Sequence, residues 1–344
     1  MQKNLKVILY NIIFFIIFIL ILELIFGFWF KKNNFGIHMR NERNKNWKTT
    51  SSFNDKEYSF FYKRNFYGFR GDEFNPEDVK IIFNGGSTSN QRYTPEKLTI
   101  VGQLNKKLNE DKINLKIYNA ATNGKSLRGI IYDFKFWFSK IEKLNPKVFI
   151  LYLGINERTL AEDVSQKNYD IRVKNNKIDQ IKDFVKNNSF IYEKFITIKN
   201  LYFPKNTSGY FFDTQDLYKE YNYINYVKAK NNDYKISEET KKLLDQITKR
   251  FNTLKNILYE KQITPIFITQ VEFNGLEDNK LYFVNELIKQ LAEENNYFII
   301  KLDELVMMEA GDFYDKVHTT PQGSDRIAET IYPYLKKILK NLDS

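Results

Sequence analysis

The sequence predicts an α/β fold in which helices cover both faces of a five-stranded parallel sheet, preceded by one transmembrane helix. Three observations lead to this prediction. Residues 7–30 are almost wholly apolar. Further along, short apolar runs alternate with longer amphipathic ones, an order typical of a parallel sheet with helical crossovers. Polar, glycine-containing clusters follow several of the short runs, where strands of such a sheet would end.

The N-terminal segment, residues 1–32, is predicted to be a membrane anchor. About 20 apolar residues span a bilayer as a helix, and the run over 7–30 is interrupted mainly by Asn11 and Glu23. The run is longer than a signal-peptide core, and no small-x-small cleavage site follows Gly27. We therefore expect the anchor to be retained, and a helix buried in a soluble core is the alternative.

The membrane side of the domain is left open by the flanking charges. More basic residues follow the anchor than precede it, and the positive-inside rule would then keep the domain in the cytoplasm. Long domains, however, translocate largely regardless of charge. The charges are Lys3 and Lys6 before the run and Lys31, Lys32, Arg40, Arg43, Lys45 and Lys48 after it.

The composition excludes several classes of function. The net charge is +11, but basic residues are scattered without a nucleic-acid motif, so we expect a basic surface beside a membrane and no nucleic-acid partner. The absence of cysteine excludes disulfides, a thiol nucleophile and zinc–thiolate sites. With only two histidines, His38 and His318, no transition-metal site and no cofactor are expected. The oligomeric state is left open.

A polar linker is predicted over residues 33–64, because its first part is rich in Asn and Lys. The globular domain is predicted over 65–344. Its strands are expected at residues 79–83, 115–118, 147–153, 263–269 and 297–302.

Helices are predicted between these strands. Thr94 and Pro95 are typical of a helix cap and first position, a second helix passes through Ile130, and Ser237 is expected to cap a long helix ending near residue 262. The last helix is expected over 322–342. About 110 residues between the third and fourth strands are too many for a simple crossover, and an insertion, partly helical and lying over the top of the sheet, is predicted at about 160–236.

Polar clusters at the strand ends point to a serine-hydrolase site. Ser87 follows the first strand in Asn84-Gly85-Gly86-Ser87, and Gly124 and Asn156 follow the second and third. Asp315 and His318 lie in a loop before the last helix. Since ligands bind at the carboxyl ends of parallel strands, these loops are expected to converge.

Each residue has a task in ester chemistry. Ser87 would be the nucleophile, His318 the general base, and Asp315 the group that orients the imidazole. The backbone N–H groups of Ser87 and Gly124 and the side-chain amide of Asn156 would form the oxyanion hole. Taken singly, each has a commoner structural role: a turn, a cap, or an ion pair with a neighbouring lysine. The ordered set favours the catalytic interpretation.

The chain resembles the SGNH hydrolase (GDSL esterase/lipase) superfamily over roughly residues 65–340. The motifs that carry the resemblance are Ser87, Gly124, Gly154-Ile155-Asn156 and Asp315-Lys316-Val317-His318, in that order. The segment 65–71 is similar to the start of membrane-anchored bacterial members. Two motifs differ: Gly-Asp-Ser is Gly85-Gly86-Ser87 here, and the acid after Asn156 is Glu157 instead of aspartate, which puts the geometry of that loop in question.

The resemblance implies a flavodoxin-like three-layer α/β/α sandwich and an esterase acting through an acyl-enzyme. An acylated glycan or lipid is the implied substrate, and an anchored bacterial member suggests O-acetyl groups of an envelope or exported polysaccharide. The implied location is a bacterial inner membrane, single-pass, with the domain on the extracytoplasmic side. Two alternatives remain: an O-acyltransferase using the same site, and a non-catalytic glycan-binding or assembly protein.

One further hypothesis concerns the aromatic residues of the insertion. Tyr202, Tyr210, Phe211 and Phe212 are candidates for acceptor recognition, and packing within the insertion is the alternative.

Overall fold

The computed structural model describes residues 2–30, 42–53, 56–158, 177–213 and 215–343. His38 lies outside the described residues, as do the start of the predicted linker and residues 159–176 of the predicted insertion.

The chain begins with helix α1, Gln2–Phe26. Its segment Asn4–Phe26 has a mean hydropathy of 2.8, no part of it is buried, and it is long and apolar enough to cross a membrane. The length and composition agree with the predicted transmembrane helix.

The predicted polar linker is wrong for much of its described part, which forms two antiparallel strands, β1 (Lys45–Phe53) and β2 (Lys56–Arg64). Its polarity suggested a linker, but two of its hydroxyl side chains are buried and hydrogen-bonded. Thr49 Oγ1 lies 2.9 Å from Thr207 Oγ1, and Ser51 Oγ donates to the Tyr93 carbonyl at 2.7 Å. Buried hydroxyls are tolerated in a strand when they have such partners.

The main sheet confirms the predicted fold class. Within the described residues it has five parallel strands in the order β4-β3-β5-β7-β8. The second strand of the sheet, β4, is added on one side of β3 and the later strands are added on the other, which is the flavodoxin-like strand order. The strands are β3 (Ile81–Gly85), β4 (Ile117–Asn119), β5 (Val148–Tyr152), β7 (Thr264–Ile268) and β8 (Phe298–Ile300).

Helices cover both faces of this sheet. In chain order, the α-helices described after β3 are α2 (Ser87–Asn90), α3 (Ile100–Glu110), α4 (Leu127–Phe136), α5 (Lys177–Asn188), α6 (Phe190–Tyr202), α7 (Gln215–Lys219), α8 (Tyr226–Asn231), α9 (Glu238–Glu260), α10 (Asn279–Glu294), α11 (Leu302–Leu305) and α12 (Pro321–Asp343).

Alternate strand residues point into two separate cores. Ile82 and Phe149 pack with the buried faces of α4, α9 and α10. Ile81 and Ile150 pack on the opposite side with α3 and α12. This period of two, with helices on each side, produces the three layers.

The helix predicted to open at Thr94 and Pro95 begins later. A short 3₁₀ turn, Glu96–Leu98, follows Pro95, and Thr99 caps α3 by accepting a hydrogen bond from the Gly102 N–H at 3.0 Å. By contrast, Ser237 caps α9 as predicted, accepting from the Thr240 N–H at 3.1 Å.

The described part of the insertion contains helices and one strand. The strand β6 (Lys205–Phe212) pairs in parallel with β1, which gives a second sheet in the order β2-β1-β6. The insertion is thus tied to the segment before the main domain.

Candidate active site

Ser87 lies at the point where β3 ends and α2 begins. It is the first residue of α2, half-buried, and Gly86 before it has extended backbone. A methyl group added at Gly85 would overlap the Ser89 hydroxyl and the Tyr152 carbonyl. Among the described residues, neither the hydroxyl nor the backbone N–H of Ser87 has a hydrogen-bond partner, so both are available to a bound molecule.

Asn156 lies against Gly86. A methyl group added at Gly86 would overlap the Asn156 side-chain nitrogen, so an alanine at this position would require that amide to move. The same amide donates to the Lys125 carbonyl at 3.0 Å. An amide nitrogen has two hydrogens, so one N–H of Asn156 is left for a ligand beside Ser87.

Gly124 follows β4 in a turn and has a φ of 70°. Backbone of this kind favours glycine. The Asn123 side chain next to it accepts a hydrogen bond from Asn90 Nδ2 at 2.7 Å, and Asn90 ends α2. The second motif is therefore bound to the serine helix.

Asp315 and His318 are directly paired. His318 Nδ1 lies 2.7 Å from Asp315 Oδ2, and Asp315 Oδ1 accepts from the N–H groups of Val317 and His318 at 2.8 and 2.7 Å. Burial disfavours ionisation of Asp315, but these hydrogen bonds outweigh burial and hold its pKa below the usual value. The Tyr314 ring stacks on the imidazole, with centroids 5.6 Å apart and planes 9° from parallel.

Gln91 connects the serine helix to the histidine loop. It follows α2 with a φ of 47°. Its side-chain Nε2 donates to Thr319 Oγ1 at 3.0 Å and to Ser324 Oγ at 2.5 Å, and its Oε1 accepts from the Ile100 N–H at 2.7 Å. Thr319 is the residue after His318, so this one side chain fixes the two loops together.

Gln270 makes the corresponding connection from the end of β7. Its Nε2 donates to Thr88 Oγ1 at 3.0 Å and to the Tyr152 carbonyl at 3.2 Å, while its Oε1 accepts from the Ile155 N–H at 2.7 Å. The serine helix is thereby joined to the loop that carries Asn156. The sequence signal for Gln270 is the polar pair Thr269-Gln270 at the end of the fourth predicted strand, and Gln270 was not among the predicted site residues.

Two buried arginines support the C-terminal end of α2 and were also missed. Arg64 Nη1 donates to Asn90 Oδ1 at 3.1 Å and to the Ala121 carbonyl at 2.8 Å. Arg70 donates to the carbonyl oxygens of Gln91 and Thr94 at 2.7 and 2.5 Å. Arg70 is thus placed against backbone carbonyls at the C-terminal end of the serine helix, where cations are favourable, while Arg64 binds the side chain of Asn90, the last residue of that helix.

Glu157 occupies the position where the usual motif has an aspartate, and its contacts explain the longer side chain. It is buried, and its Oε1 accepts from the Leu127 N–H at 2.6 Å, the first residue of α4. Ser126 at the cap position makes no side-chain capping hydrogen bond. The longer acid therefore supplies the acceptor for a helix N-terminus that needs one.

A cleft of about 770 Å³ adjoins the histidine loop. Lys316 and Val317 form one side, and Arg158, which follows Asn156 by two positions, forms another. Four carboxylates and an aromatic ring also contact it: Glu220, Glu272, Glu277, Asp278 and Phe273. Burial raises the pKa of Glu272 although Arg158 lies 2.9 Å from its carboxylate.

The aromatic residues proposed for acceptor recognition are not all together. Tyr210 packs on Tyr93 and Phe212 on Tyr314, each at 4.2 Å between ring centroids. Since Tyr314 stacks on His318, Phe212 is one ring removed from the imidazole. Phe211 and Tyr202 are exposed and make no part of that cluster.

Within the described ranges, no group of three or more histidine, cysteine or acidic side chains is arranged to hold a metal ion.

No protein-family model and no curated protein matches the sequence. Solved structures of ester hydrolases do match. An acetyl xylan esterase, AlAXEase, is 12% identical, and the match covers 74% of this chain and 99% of that one with a TM-score of 0.43. The protein TesA is 11% identical, with 75% and 98% covered and a TM-score of 0.42.

A catalytic mutant of Axe2, an acetylxylan esterase from Geobacillus stearothermophilus, is 14% identical, with 74% and 93% covered and a TM-score of 0.41. Similarity at this level carries no conclusion about activity or substrate.

The candidate active site therefore rests on the chain's own features. The parallel strands run in the order β4-β3-β5-β7-β8. Ser87, Gly124 and Asn156 lie in the segments that follow β3, β4 and β5, and Asp315 and His318 lie in the loop before α12. This strand order, with the serine, glycine, asparagine and Asp-x-x-His motifs at these positions, agrees with the arrangement expected from the resemblance to the SGNH hydrolase superfamily.

Proposed function

We propose that the protein is a membrane-anchored serine esterase that removes O-acyl groups, in particular O-acetyl groups, from an envelope or exported polysaccharide. The observation that carries the proposal is the Asp315–His318 pair, fixed by Gln91 to the helix that presents Ser87. The Nε2 atom of His318 makes no hydrogen bond within the described residues, so it is available to take the proton of Ser87.

The reaction follows from these groups. Ser87 Oγ attacks the ester carbonyl as His318 Nε2 takes its proton, and the resulting oxyanion accepts from the Ser87 and Gly124 N–H groups and from Asn156 Nδ2. Collapse breaks the ester C–O bond, and His318 returns the proton to the leaving alcohol. Water then attacks the acyl-serine by the same route, releasing the carboxylic acid and free Ser87.

Asp315 orients the imidazole and stabilises its charged form. The Tyr314 ring also holds the imidazole by stacking. An Asp315→Asn substitution should therefore reduce acyl turnover less completely than loss of His318.

The cleft beside the histidine loop is our candidate for the glycan. Its carboxylates accept hydrogen bonds, which suits the hydroxyl groups of a sugar. The Phe273 ring adds an apolar surface within the same cleft. An ester-bearing sugar lying there would place its acyl group beside the loop that contains His318.

The same cleft favours O-acyl transfer as a second candidate. An acceptor hydroxyl that reached the acyl-serine from this cleft beside the histidine loop would compete with water for the acyl group. Release of acetate, measured against transfer to an added glycan, distinguishes the two activities. A non-catalytic glycan-binding protein on the same fold is the remaining alternative.

The anchoring is supported by contacts between α1 and the domain. The Glu23 carboxylate accepts from the backbone N–H groups of Phe190 and Ile191, each at 3.0 Å. A removed signal segment would leave these donors at the start of α6 without their acceptor. We therefore propose that α1 is retained in a bacterial inner membrane, with the domain on its extracytoplasmic side.

Labelling of the full-length protein in detergent with a fluorophosphonate tests the proposal. Wild-type protein should be labelled, while Ser87→Ala should not be labelled and His318→Ala should lose at least most labelling. Each substitution should lower turnover of an acetyl ester by about 10⁴-fold or more. Ser139→Ala, which changes an exposed serine outside the site, is the matched control. Undiminished turnover by Ser87→Ala would overturn the assignment, and an unlabelled, folded wild type would favour the binding protein.

A further inference from the structure

Helices α5 and α6 each carry an exposed apolar stripe. On α5, Ile181 is 65% exposed and Phe184 54%, and on α6, Phe195 is 61% exposed and Ile198 56%. Their spacing of three places each pair on one face of its helix. Further exposed members are Ile178 and Val185 on α5, Leu201 and Tyr202 on α6, and Phe203 just after it. A soluble domain rarely exposes an apolar surface of this extent without a partner.

The N-terminus of α6 is attached to the last turn of α1. Glu23 Oε1 accepts from Ser189 Oγ at 2.6 Å, and Oε2 accepts from Trp29 Nε1 at 2.9 Å. Together with the N–H groups of Phe190 and Ile191, they give this carboxylate four donors. A carboxylate is a favourable cap because the helix N-terminus is partly positive.

Packing strengthens the same junction. The Phe26 ring lies 5.2 Å from that of Phe190, and Trp29 makes an edge contact with Phe184 at 5.9 Å. The Phe28 N–H donates to the Asn188 carbonyl at 2.8 Å. Helix α6 therefore contacts the C-terminal end of α1, and α5 contacts the residues that follow it.

This junction lies at the edge of the bilayer. The 23 residues of Asn4–Phe26 have a length of roughly 35 Å as a helix, and the hydrocarbon core is about 30 Å thick. Glu23 is three residues from the end of the span, so it lies at the boundary between acyl chains and headgroups. An ionisable group at that depth is costly unless it is bonded, and its four donors meet this requirement.

Charge on the two helices also suits a membrane surface. Lys182 on α5 and Lys194 and Lys199 on α6 are exposed and flank the apolar stripes. Lysines in this position attract anionic headgroups while their stems cover apolar surface.

We propose that the apolar stripes of α5 and α6 lie in the headgroup–acyl boundary of the membrane that α1 crosses. The pair then forms an interfacial element that fixes the orientation of the domain, beyond simple tethering by α1. The strand β6 follows α6 directly, and its Phe212 packs on Tyr314, the ring that stacks on His318. The membrane-bound helices are thus covalently continuous with one wall of the site.

The absence of cysteine permits single-cysteine probes in the full chain. We would place an environment-sensitive fluorophore at Ile198→Cys, reconstitute the protein in vesicles of phosphatidylcholine and phosphatidylglycerol, and add lipids that carry a doxyl quencher in the acyl chain. Tyr259→Cys is the control, since this residue of α9 is 84% exposed and belongs to neither stripe. Ile181→Cys repeats the test on α5, should the label at 198 disturb the protein.

The labels at 198 and 181 should emit at shorter wavelength than the label at 259 and be quenched several-fold more by the doxyl lipids. Equal emission and equal quenching at all three positions would overturn the proposal. Emission at 198 that is insensitive to doxyl lipid but changes with protein density would also overturn it, because a second copy of the chain would then cover the stripes. Loss of esterase activity has no bearing on these readouts.

Discussion

At the scale of single residues, the proposed oxyanion pocket depends on the absence of a side chain at position 86. Gly86 and Asn156 occupy adjacent space, and the amide that would bind the oxyanion touches the backbone before Ser87. The usual motif has a residue with a side chain at position 86, and here the Asn156 amide occupies the space that such a side chain would take.

A Gly86→Ala substitution should displace the Asn156 amide and lower kcat for an acetyl ester by about 10²–10³-fold, the cost of losing one oxyanion donor. KM and the folded state should change little. Gly311→Ala is the control, since its added methyl would meet the Gln322 side chain at no less than 3.8 Å. Steady-state kinetics of both variants checks this, and wild-type kcat for Gly86→Ala would contradict the proposed pocket.

Asp315 gives the protein a specific acid sensitivity. Its folded-state pKa lies below the usual 3.8, because the hydrogen bonds from His318 and the loop N–H groups outweigh burial. A depressed pKa contributes stability that is present above the unfolded-state value and is lost as pH falls through the folded-state value.

The Asp315→Asn variant should therefore unfold at a lower temperature than wild type at neutral pH, and the difference should shrink as pH falls below about 4. Thermal unfolding in detergent between neutral and strongly acidic pH measures it. Asp216→Asn, on the exposed start of α7, should give a curve parallel to that of wild type. If the difference in unfolding temperature between Asp315→Asn and wild type stayed constant with pH, ionisation of Asp315 would not contribute to stability.

At the scale of elements, loops from separate strands are held by a few long-range hydrogen bonds. Gln91 and Gln270 connect α2 with the histidine loop and with the Asn156 loop. Glu157 connects that third loop to the start of α4. Each connection lies within a few residues of a proposed catalytic group, so local stability and site geometry are coupled.

Shortening the acid by Glu157→Asp should withdraw the acceptor from the Leu127 N–H. Leaving a buried donor unpaired costs about 1–3 kcal/mol, so the free energy of unfolding should fall by that amount in denaturant titration. Glu260→Asp, at the exposed end of α9, is the control and should change it by less than about 0.5 kcal/mol. Equal stability of the two variants would mean that Glu157 does not cap α4.

At the scale of the whole molecule, α1 and the domain form one structure. Helix α1 is joined to α6 through Glu23, α6 leads into β6, and β6 pairs with β1 of the N-terminal hairpin. Removing α1 would therefore uncap a helix of the insertion.

We expect the mature protein in membranes to keep α1. Intact mass measurement of the full chain, purified from membranes through a C-terminal tag, should match a sequence that still contains Glu23. A variant with a small-x-small cleavage site placed after Gly27 should appear as a shorter species and report that cleavage is detectable. A wild-type mass that corresponds to a chain beginning after Gly27 would rule out a retained anchor.

Much of this architecture follows from local sequence pattern. Periodicity predicted the five parallel strands and the helices on both faces, with boundaries shifted by a few residues, because alternation and amphipathic spacing are local properties. The same pattern placed Ser87, Gly124 and Asn156 at strand ends. The spacing of Asp315 and His318 permitted the direct pair that the structure contains.

Tertiary structure decided what joins distant parts of the chain. The polar composition of the N-terminal hairpin indicates a linker, because the partners of its buried hydroxyls, in β6 and at Tyr93, lie far along the sequence. Gln91 meets Thr319 across 228 positions, and Glu23 meets Ile191 across 168. A buried polar side chain needs a partner, but its own neighbourhood in sequence does not specify which one. Only the packing of the layers brings those partners together.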